Sequence, residues 1–213
     1  IRDGRIVAVG NFHLVSAEAG KDAEVVDHRP HLILPGFIDA HVHMPQMQVI
    51  ASYGAELLDW LNTYTFPEET KFRDHAHAAR IAGLFLDELV RHGTTTVAAY
   101  CSVHRASADA LFEEARRRGM RLAAGKVLMD RHAPPALLDT AQRGYDESEA
   151  LLRRWHGVDR LLYAITPRFA ATSTPAQLEA AGALWKAYPD TFVHTHLAEN
   201  RGEMDWIARL YPE

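Results

Sequence analysis

Hydrophobic and polar residues follow two different patterns along this chain, and the pattern changes near residue 32. Before that point, short apolar groups at residues 6–9 and 25–26 are separated by polar turns. This arrangement predicts small paired strands. After that point, short apolar runs alternate with longer stretches whose apolar residues repeat at helical spacing. The second region therefore predicts strands and helices in regular alternation.

The predicted strands of the second region are short, apolar and partly β-branched, as buried parallel strands are. The predicted helices carry an apolar stripe at a spacing of three to four residues. Thr174 before Pro175 is typical of a helix start, and Gly93 and Gly119 are typical of helix ends. The strands are expected at 32–41, 94–101, 122–129, 161–166 and 192–197, and the helices at 73–92, 106–119, 146–155, 175–188 and 201–210.

Alternating strands and helices indicate a parallel sheet in an α/β fold. A doubly wound open sheet is one alternative, and it typically carries a glycine-rich turn after its first strand. Residues 39–46 contain no glycine and hold two histidines instead. We therefore predict an incomplete (β/α)8 TIM barrel with about its first five βα units, since a full barrel takes about 250 residues.

The composition narrows the class of protein. The net charge of −5 argues against a nucleic-acid partner, which would favour a basic surface. No apolar stretch approaches the roughly 20 residues of a membrane span. Cys101 is the only cysteine, which excludes a disulfide within the chain and indicates a reducing compartment, the cytoplasm.

The most informative motif is His41-Val42-His43, at the end of the first predicted strand. Residues two apart in a strand project to the same side, so the two imidazoles lie side by side. They lie at the strand end where barrel enzymes keep their active sites. Asp39 lies on the same face, and we expect it to accept the other ring N–H of a ligand. An isolated His-x-His pair is more often structural than a metal site.

A second histidine pair changes that judgement. His194 and His196 end the last predicted strand, and Glu199 follows three residues after His196. The carboxyl ends of two strands then offer histidines to one barrel mouth. Imidazole nitrogens are common zinc ligands, so the pattern predicts a metal site with a carboxyl group beside it.

Residues 35–43 resemble the first-strand motif of the amidohydrolase superfamily, whose small β-sandwich domain the leading segments also resemble. Within that superfamily, residues 44–46, 57–68, 166–169 and 196–201 are similar to the guanine deaminase family. The resemblance implies that residues 1–31 are part of the β-sandwich domain and 32–213 the N-terminal portion of the barrel. It further implies hydrolysis of guanine to xanthine and ammonia, with a small purine as substrate and a homodimer by analogy.

The resemblance also implies the roles of the site residues. His41, His43 and His196 would bind one Zn2+, with iron as the other candidate metal. His194 is left out of this set, because the family pattern places the ligand at His196. Glu199 would shuttle protons, and the purine would be held by Gln46, Arg168 and the backbone at Phe169.

Two features bear on how complete the site is. Residues 163–166 contain no lysine to bridge two metals, which favours a single metal. The family pattern adds a further histidine and an aspartate, which we expect beyond Glu213 in a longer protein. Two other functions stay open: a related amidohydrolase acting on 8-oxoguanine, thioadenosine, adenosylhomocysteine or a triazine, and a metal-free scaffold barrel.

Overall fold

The computed structural model describes residues 1–54 and 56–212 of the chain. Its contacts divide the chain into two compact units, Ile1–Pro35 and a larger unit that begins at Gly36. The last residue of the predicted barrel portion, Glu213, lies outside the described residues.

The first unit contains one helix, α1, over Phe12–Ala19. Asn11 caps its start by accepting a hydrogen bond from the backbone N–H of His13. The strands expected at residues 6–9 and 25–26 are not formed among the described residues, whose one bridge here joins Arg2 and Arg5. Strands need neighbouring strands and a face to bury, and the apolar side chains at both positions are largely exposed. Assignment of residues 1–31 to a β-sandwich domain stays a prediction.

The second unit alternates strands with helices, as the sequence predicts. The strands are β1 (Phe37–His43), β2 (Thr94–Tyr100), β3 (Arg121–Gly125), β4 (Val127–Leu128), β5 (Leu161–Pro167) and β6 (Phe192–Val193). The α-helices are α2 (Leu57–Trp60), α3 (Phe66–Thr70), α4 (His75–Arg91), α5 (Arg105–Arg118), α6 (Ala141–Trp155), α7 (Pro175–Ala187) and α8 (Arg201–Leu210).

The strands pair in parallel and in chain order, β1 to β2, β2 to β3, β3 to β5 and β5 to β6. The short β4 continues β3 and also pairs with β5. Helices α4, α5, α6 and α7 pack against one another in the same sequence and against the sheet. A doubly wound sheet would reverse its strand order at a switch point. The predicted incomplete barrel is therefore confirmed as a parallel half-barrel.

Three predicted strands differ in length from those observed. β1 begins at Phe37 rather than at residue 32, because Pro35 has no N–H to donate to a ladder. The third predicted strand is interrupted at Lys126, between β3 and β4. The last one keeps ladder pairing over Phe192–Val193 alone, although its continuation still follows β5.

The helix ends agree with their capping residues. The side chain of Thr174 accepts from the N–H of Gln177 at the start of α7, and Gly119 ends α5 in the left-handed conformation, with φ of 66°. Helix α6 begins at Ala141, earlier than expected, because Thr140 caps it by accepting from the N–H of Arg143.

The stretch between β1 and α4 is more structured than a loop. A 3-10 helix over Met44–Val49 follows β1 directly, and a π-helical turn over Leu61–Thr65 joins α2 to α3. Phe66 and Leu61 from this stretch are buried in a hydrophobic cluster with Tyr100 at the end of β2. The stretch therefore packs over the carboxyl ends of the strands.

Among the described residues, none of the helices combines the length and the apolar character that a membrane crossing requires.

A close approach between strands at Gly125 gives a test of this packing. A Cβ atom built on Gly125 would lie 1.9 Å from the carbonyl oxygen of Ala164 in β5. We expect Gly125→Ala to lower the free energy of unfolding by more than about 2 kcal/mol, since the obstacle is backbone and overpacking of this kind costs about 1–3 kcal/mol. Urea denaturation measures the change.

Gly182→Ala is the matched control, because a Cβ atom at Gly182 in α7 meets nothing within 4 Å. Alanine at this exposed helical position should raise the free energy of unfolding by about 0.5–1 kcal/mol. Equal stability of the Gly125→Ala variant and the unaltered protein would show that β3 and β5 do not approach as described.

Candidate metal centre

His41 and His43 lie at the carboxyl end of β1, where the strand carries a bulge. Asp39 pairs with Val97 and Val42 with Ala99, so β1 has one more residue than β2 between these pairs. A bulge changes the direction of nearby side chains. The two rings nevertheless stay together, with centroids 5.3 Å apart.

His196 reaches the same place from the segment after β6. The backbone N–H of His196 donates to the carbonyl oxygen of Arg168 at 2.9 Å, and the ring Nδ1 lies 2.8 Å from the same oxygen. Since a carbonyl only accepts, the proton of this neutral imidazole is on Nδ1 and its Nε2 carries a lone pair. One carbonyl of the β5 end therefore fixes both the position and the tautomer of His196, as outer contacts do for metal-binding histidines.

The three histidines form a compact donor set. Each offers a ring nitrogen, and the three nitrogens lie within 4.8 Å of one another; the set is His41, His43 and His196. The Nε2 atoms of His43 and His196 are 2.9 Å apart. A cation between such nitrogens would accept their lone pairs, so the residues fit a divalent metal ion.

Burial favours the neutral form of two of these imidazoles, those of His43 and His196. It lowers the pKa of His43 well below its usual value, with a further contribution from the positive charge of Arg168. Burial likewise lowers the pKa of His196 to about 4. Neutral imidazole is the form that binds metals, because its lone pair is not occupied by a proton.

Tyr100, at the end of β2, packs against the histidines. Its ring stacks on that of His43, with centroids 4.4 Å apart and planes 11° apart, and lies 4.3 Å from that of His196. The ring of His194 is 3.8 Å from it on another side. Burial raises the pKa of Tyr100, whose hydroxyl has no hydrogen-bond partner in the described part of the chain. The tyrosine ring thus packs against the imidazoles, and its hydroxyl makes no hydrogen bond to their nitrogens.

Asp39 contacts backbone rather than a ring. Its Oδ1 accepts from the backbone N–H of His41 at 3.0 Å, within β1. The expected bond to a ligand ring is not formed, because the bulge brings the amide of His41 within reach of the carboxylate. Asp39 therefore orients His41 through the main chain.

Glu199 lies at the barrel mouth, directly after a residue with a strained backbone conformation. Ala198 has φ of 55°, the left-handed region that side chains other than glycine rarely adopt. The N–H of Glu199 donates to Glu203 at 2.7 Å, which holds the segment at the start of α8. Partial burial, and then the charge of Glu203, raise the pKa of Glu199. The carboxyl group therefore holds its proton more readily than a solvated glutamate does.

The three residues expected to hold a substrate occupy the same end of the sheet. Gln46 is half-buried in the 3-10 helix directly after β1. Arg168 and Phe169, directly after β5, are both buried, and the guanidinium of Arg168 lies over the ring of Phe66 with its carbon 5.3 Å from the ring centroid. The structure thus places these three residues, like the histidines and Glu199, at or directly after the carboxyl ends of strands.

Two depressions adjoin the rim. An aromatic cavity of about 110 Å³ is lined in part by Phe66, Phe169, His132 and Trp206. A mainly apolar groove of about 300 Å³ runs along the concave face of the sheet and reaches His194. Aromatic side chains, including Phe169, line part of this cavity, so a planar ring could pack against them.

Two site residues were missed by the sequence interpretation. Tyr100 ends a buried strand beside His43 and is its register partner, a relation that the strand order would have indicated. Glu69 is fully buried and contacts Arg168, although it lies in a run of polar residues that is typical of an exposed helix start. No local pattern distinguishes it from its neighbour Glu68.

The fold and these residues define a class of protein, the hydrolases that carry metal-binding histidines at the carboxyl ends of a parallel barrel. The model of the Amidohydrolase family matches residues 32–213, and the chain belongs to that family.

Known proteins similar to this chain support that assignment. It is 47% identical to the guanine deaminase of Escherichia coli strain K12, over 100% of this chain and 48% of that protein. It is 44% identical to the probable guanine deaminase of Deinococcus radiodurans, over 98% of this chain and 48% of the relative. The crystal structure of guanine deaminase from C. acetobutylicum, with guanine bound in its active site, matches 89% of this chain and 46% of its own, at 31% identity and a TM-score of 0.85. The chain spans about half the length of the curated relatives it matches.

The histidine cluster predicts how metal affinity responds to substitution. His196→Ala removes a nitrogen of the donor set and should weaken Zn2+ binding by more than about 100-fold. Changing a residue that only hydrogen-bonds to a metal ligand costs roughly 10–100-fold, so the loss of a ligand itself should exceed that range. Competition with a chromophoric chelator measures the affinity.

His194→Ala is the matched control, from the same segment and two residues away. His194 lies outside the donor set, so the Zn2+ affinity of this variant should stay within about tenfold of that of the unaltered protein. Tenfold is the smallest loss typical of changing a residue that supports a metal ligand. Equal losses in both variants would mean that His196 is not a ligand.

Proposed function

We propose that the whole protein is a zinc-dependent aminohydrolase that converts guanine and water to xanthine and ammonia. The supporting observation is the convergence of His41, His43 and His196 with Glu199 and Arg168 at one rim. The similarity to bacterial proteins named guanine deaminase directs the choice of substrate. The same residues are suited to a nitrogen heterocycle that must be protonated while water attacks it.

The histidines would hold the metal through neutral ring nitrogens. Bound Zn2+ would lower the pKa of a water molecule to about 7, which supplies a nucleophile near neutral pH. His196 enters this arrangement with its tautomer already set by the carbonyl of Arg168. Nitrogen donors of this kind also accept iron, so zinc is the choice to be tested by metal analysis.

Glu199 is the proton carrier in this proposal. Water attack at C2 of guanine places electron density on the ring, and a proton delivered to the adjacent ring nitrogen removes that charge. Glu199 would donate this proton, take one back from the water oxygen that has added to C2, and deliver it to the amino group, which leaves as ammonia. Its raised pKa suits the task, because a general acid works best when its pKa is near the working pH.

Recognition of the base would fall to Gln46, Arg168 and the backbone at Phe169. Guanine offers acceptors at O6 and N7, and arginine and the amide of glutamine both donate to such atoms. A site with buried donors for O6 disfavours adenine, which would leave those donors unpaired. The aromatic cavity beside Phe169 offers faces against which a purine can stack.

Ammonia release from a panel of heterocycles tests the substrate. The intact, zinc-loaded protein should release ammonia from guanine with a higher kcat/KM than from 8-oxoguanine, adenine, thioadenosine or an aminotriazine. A coupled glutamate dehydrogenase assay measures the rates. Faster turnover of a triazine or of 8-oxoguanine would replace guanine as the substrate, and no turnover of any of them by metal-loaded protein would indicate a scaffold role.

Substitution of the proton carrier tests the mechanism. Glu199→Gln cannot donate and accept a proton, so kcat for guanine should fall about 10²–10⁴-fold while the zinc content is unchanged. Glu179→Gln, at an exposed position of α7, is the control and should keep full activity. A Glu199→Gln variant with kcat within twofold of the control would exclude this role.

A further inference from the structure

Arg168 is paired with a carboxylate that the proposed reaction does not use. Both oxygens of Glu69 accept from the same guanidinium nitrogen, Nη1, at 2.8 and 2.7 Å. Glu69 is 0% exposed and Arg168 is 2% exposed. The contact uses one terminal nitrogen and leaves the Nη2 and Nε donors outside it. The pair therefore fixes the guanidinium while keeping donors for another group.

Glu69 is itself held from two sides. It lies in α3, one turn after Phe66, whose ring faces the guanidinium. The hydroxyl of Ser102, after β2, donates to the backbone carbonyl of Glu69 at 2.9 Å. The carboxylate thus joins the segment after β1 to the residue that ends β5, and its position is set by packed backbone rather than by solvent.

The net charge of the Glu69–Arg168 pair determines which ligands Arg168 can bind. Glu69 is the carboxylate in contact with the buried guanidinium, so without it Arg168 would be a cation that lacks this partner beside the metal site. An unpaired arginine attracts anions, whereas an arginine paired with a carboxylate has no net charge and still donates hydrogen bonds. In a buried site the difference is large, because charges are poorly screened there.

We propose that Glu69 is a positioning and charge-balancing residue that makes Arg168 select neutral purines over purine anions. This inference rests on the proposed function. Guanine is neutral near neutral pH, whereas xanthine loses a proton more readily because it carries a second oxo group. Glu69 would therefore weaken the binding of the anionic product and favour its release, at no cost to hydrogen bonding with the substrate.

Glu69→Gln tests the charge with little change in shape. The amide oxygen can still accept from Nη1, but the negative charge is gone. Xanthine affinity should rise about tenfold in mildly alkaline buffer, where xanthine is an anion, and change less than about twofold in mildly acidic buffer, where it is neutral. Product-inhibition constants and isothermal titration calorimetry give the affinities, and KM for guanine should change less than the xanthine constant.

Glu68→Gln is the matched control, since Glu68 is the preceding residue and pairs with Lys71, whose side chain is half exposed, rather than with Arg168. It should leave the xanthine affinity unchanged in both buffers. The inference is overturned if Glu69→Gln gives the same ratio of xanthine affinities between the two buffers as the control. An equal rise in both buffers would also overturn it, because that result would reflect shape rather than charge.

A second measurement separates this inference from the proposed function. Glu69→Gln and Arg168→Gln should each lower Tm, since each leaves a buried charge unpaired, and the double variant should recover part of the loss. This recovery does not depend on any substrate, so it is readable even if guanine releases no ammonia. A double variant no more stable than the less stable single variant would show that the two residues do not balance each other.

Discussion

The parallel arrangement of strands in chain order is the constraint on which the site depends. It places the carboxyl ends of β1, β2, β5 and β6 at one rim, where residues more than a hundred positions apart in sequence come within bonding distance. Two carbonyls join β5 to the segment after β6: that of Ile165 accepts from the N–H of His194, and that of Arg168 accepts from both the backbone and the ring of His196. The third histidine therefore takes its place only when the last strand has joined the sheet.

The sequence was sufficient for those features that depend on local periodicity. The order of strands and helices, the cap at Thr174 and the glycine that ends α5 follow from short-range patterns, and the structure has them. The alternation of side chains along a strand predicts that His41 and His43 lie side by side. In the structure a bulge intervenes, and the two rings still adjoin.

The features that were wrong or missed depend on contacts between distant segments. Residues 6–9 have strand-like composition, but composition alone does not supply a neighbouring strand. Glu69 resembles any surface glutamate until α3 is packed against the end of β5. Tyr100 has the appearance of an ordinary core residue, and its packing against four imidazoles appears only when β2 lies beside β1. Periodicity predicts which side of a strand a residue faces and carries no information about what faces it.

The aromatic cavity is built from separate parts of the chain. Phe66 precedes the second strand, His132 follows the fourth, Phe169 follows the fifth and Trp206 lies in the last helix. None of these belongs to the histidine donor set. Changes in the cavity can therefore accumulate by single substitutions in four separate segments while the three histidines of the donor set stay in place. Such a division would let the shape of the cavity change gradually during evolution, without passing through forms that have lost the histidine cluster.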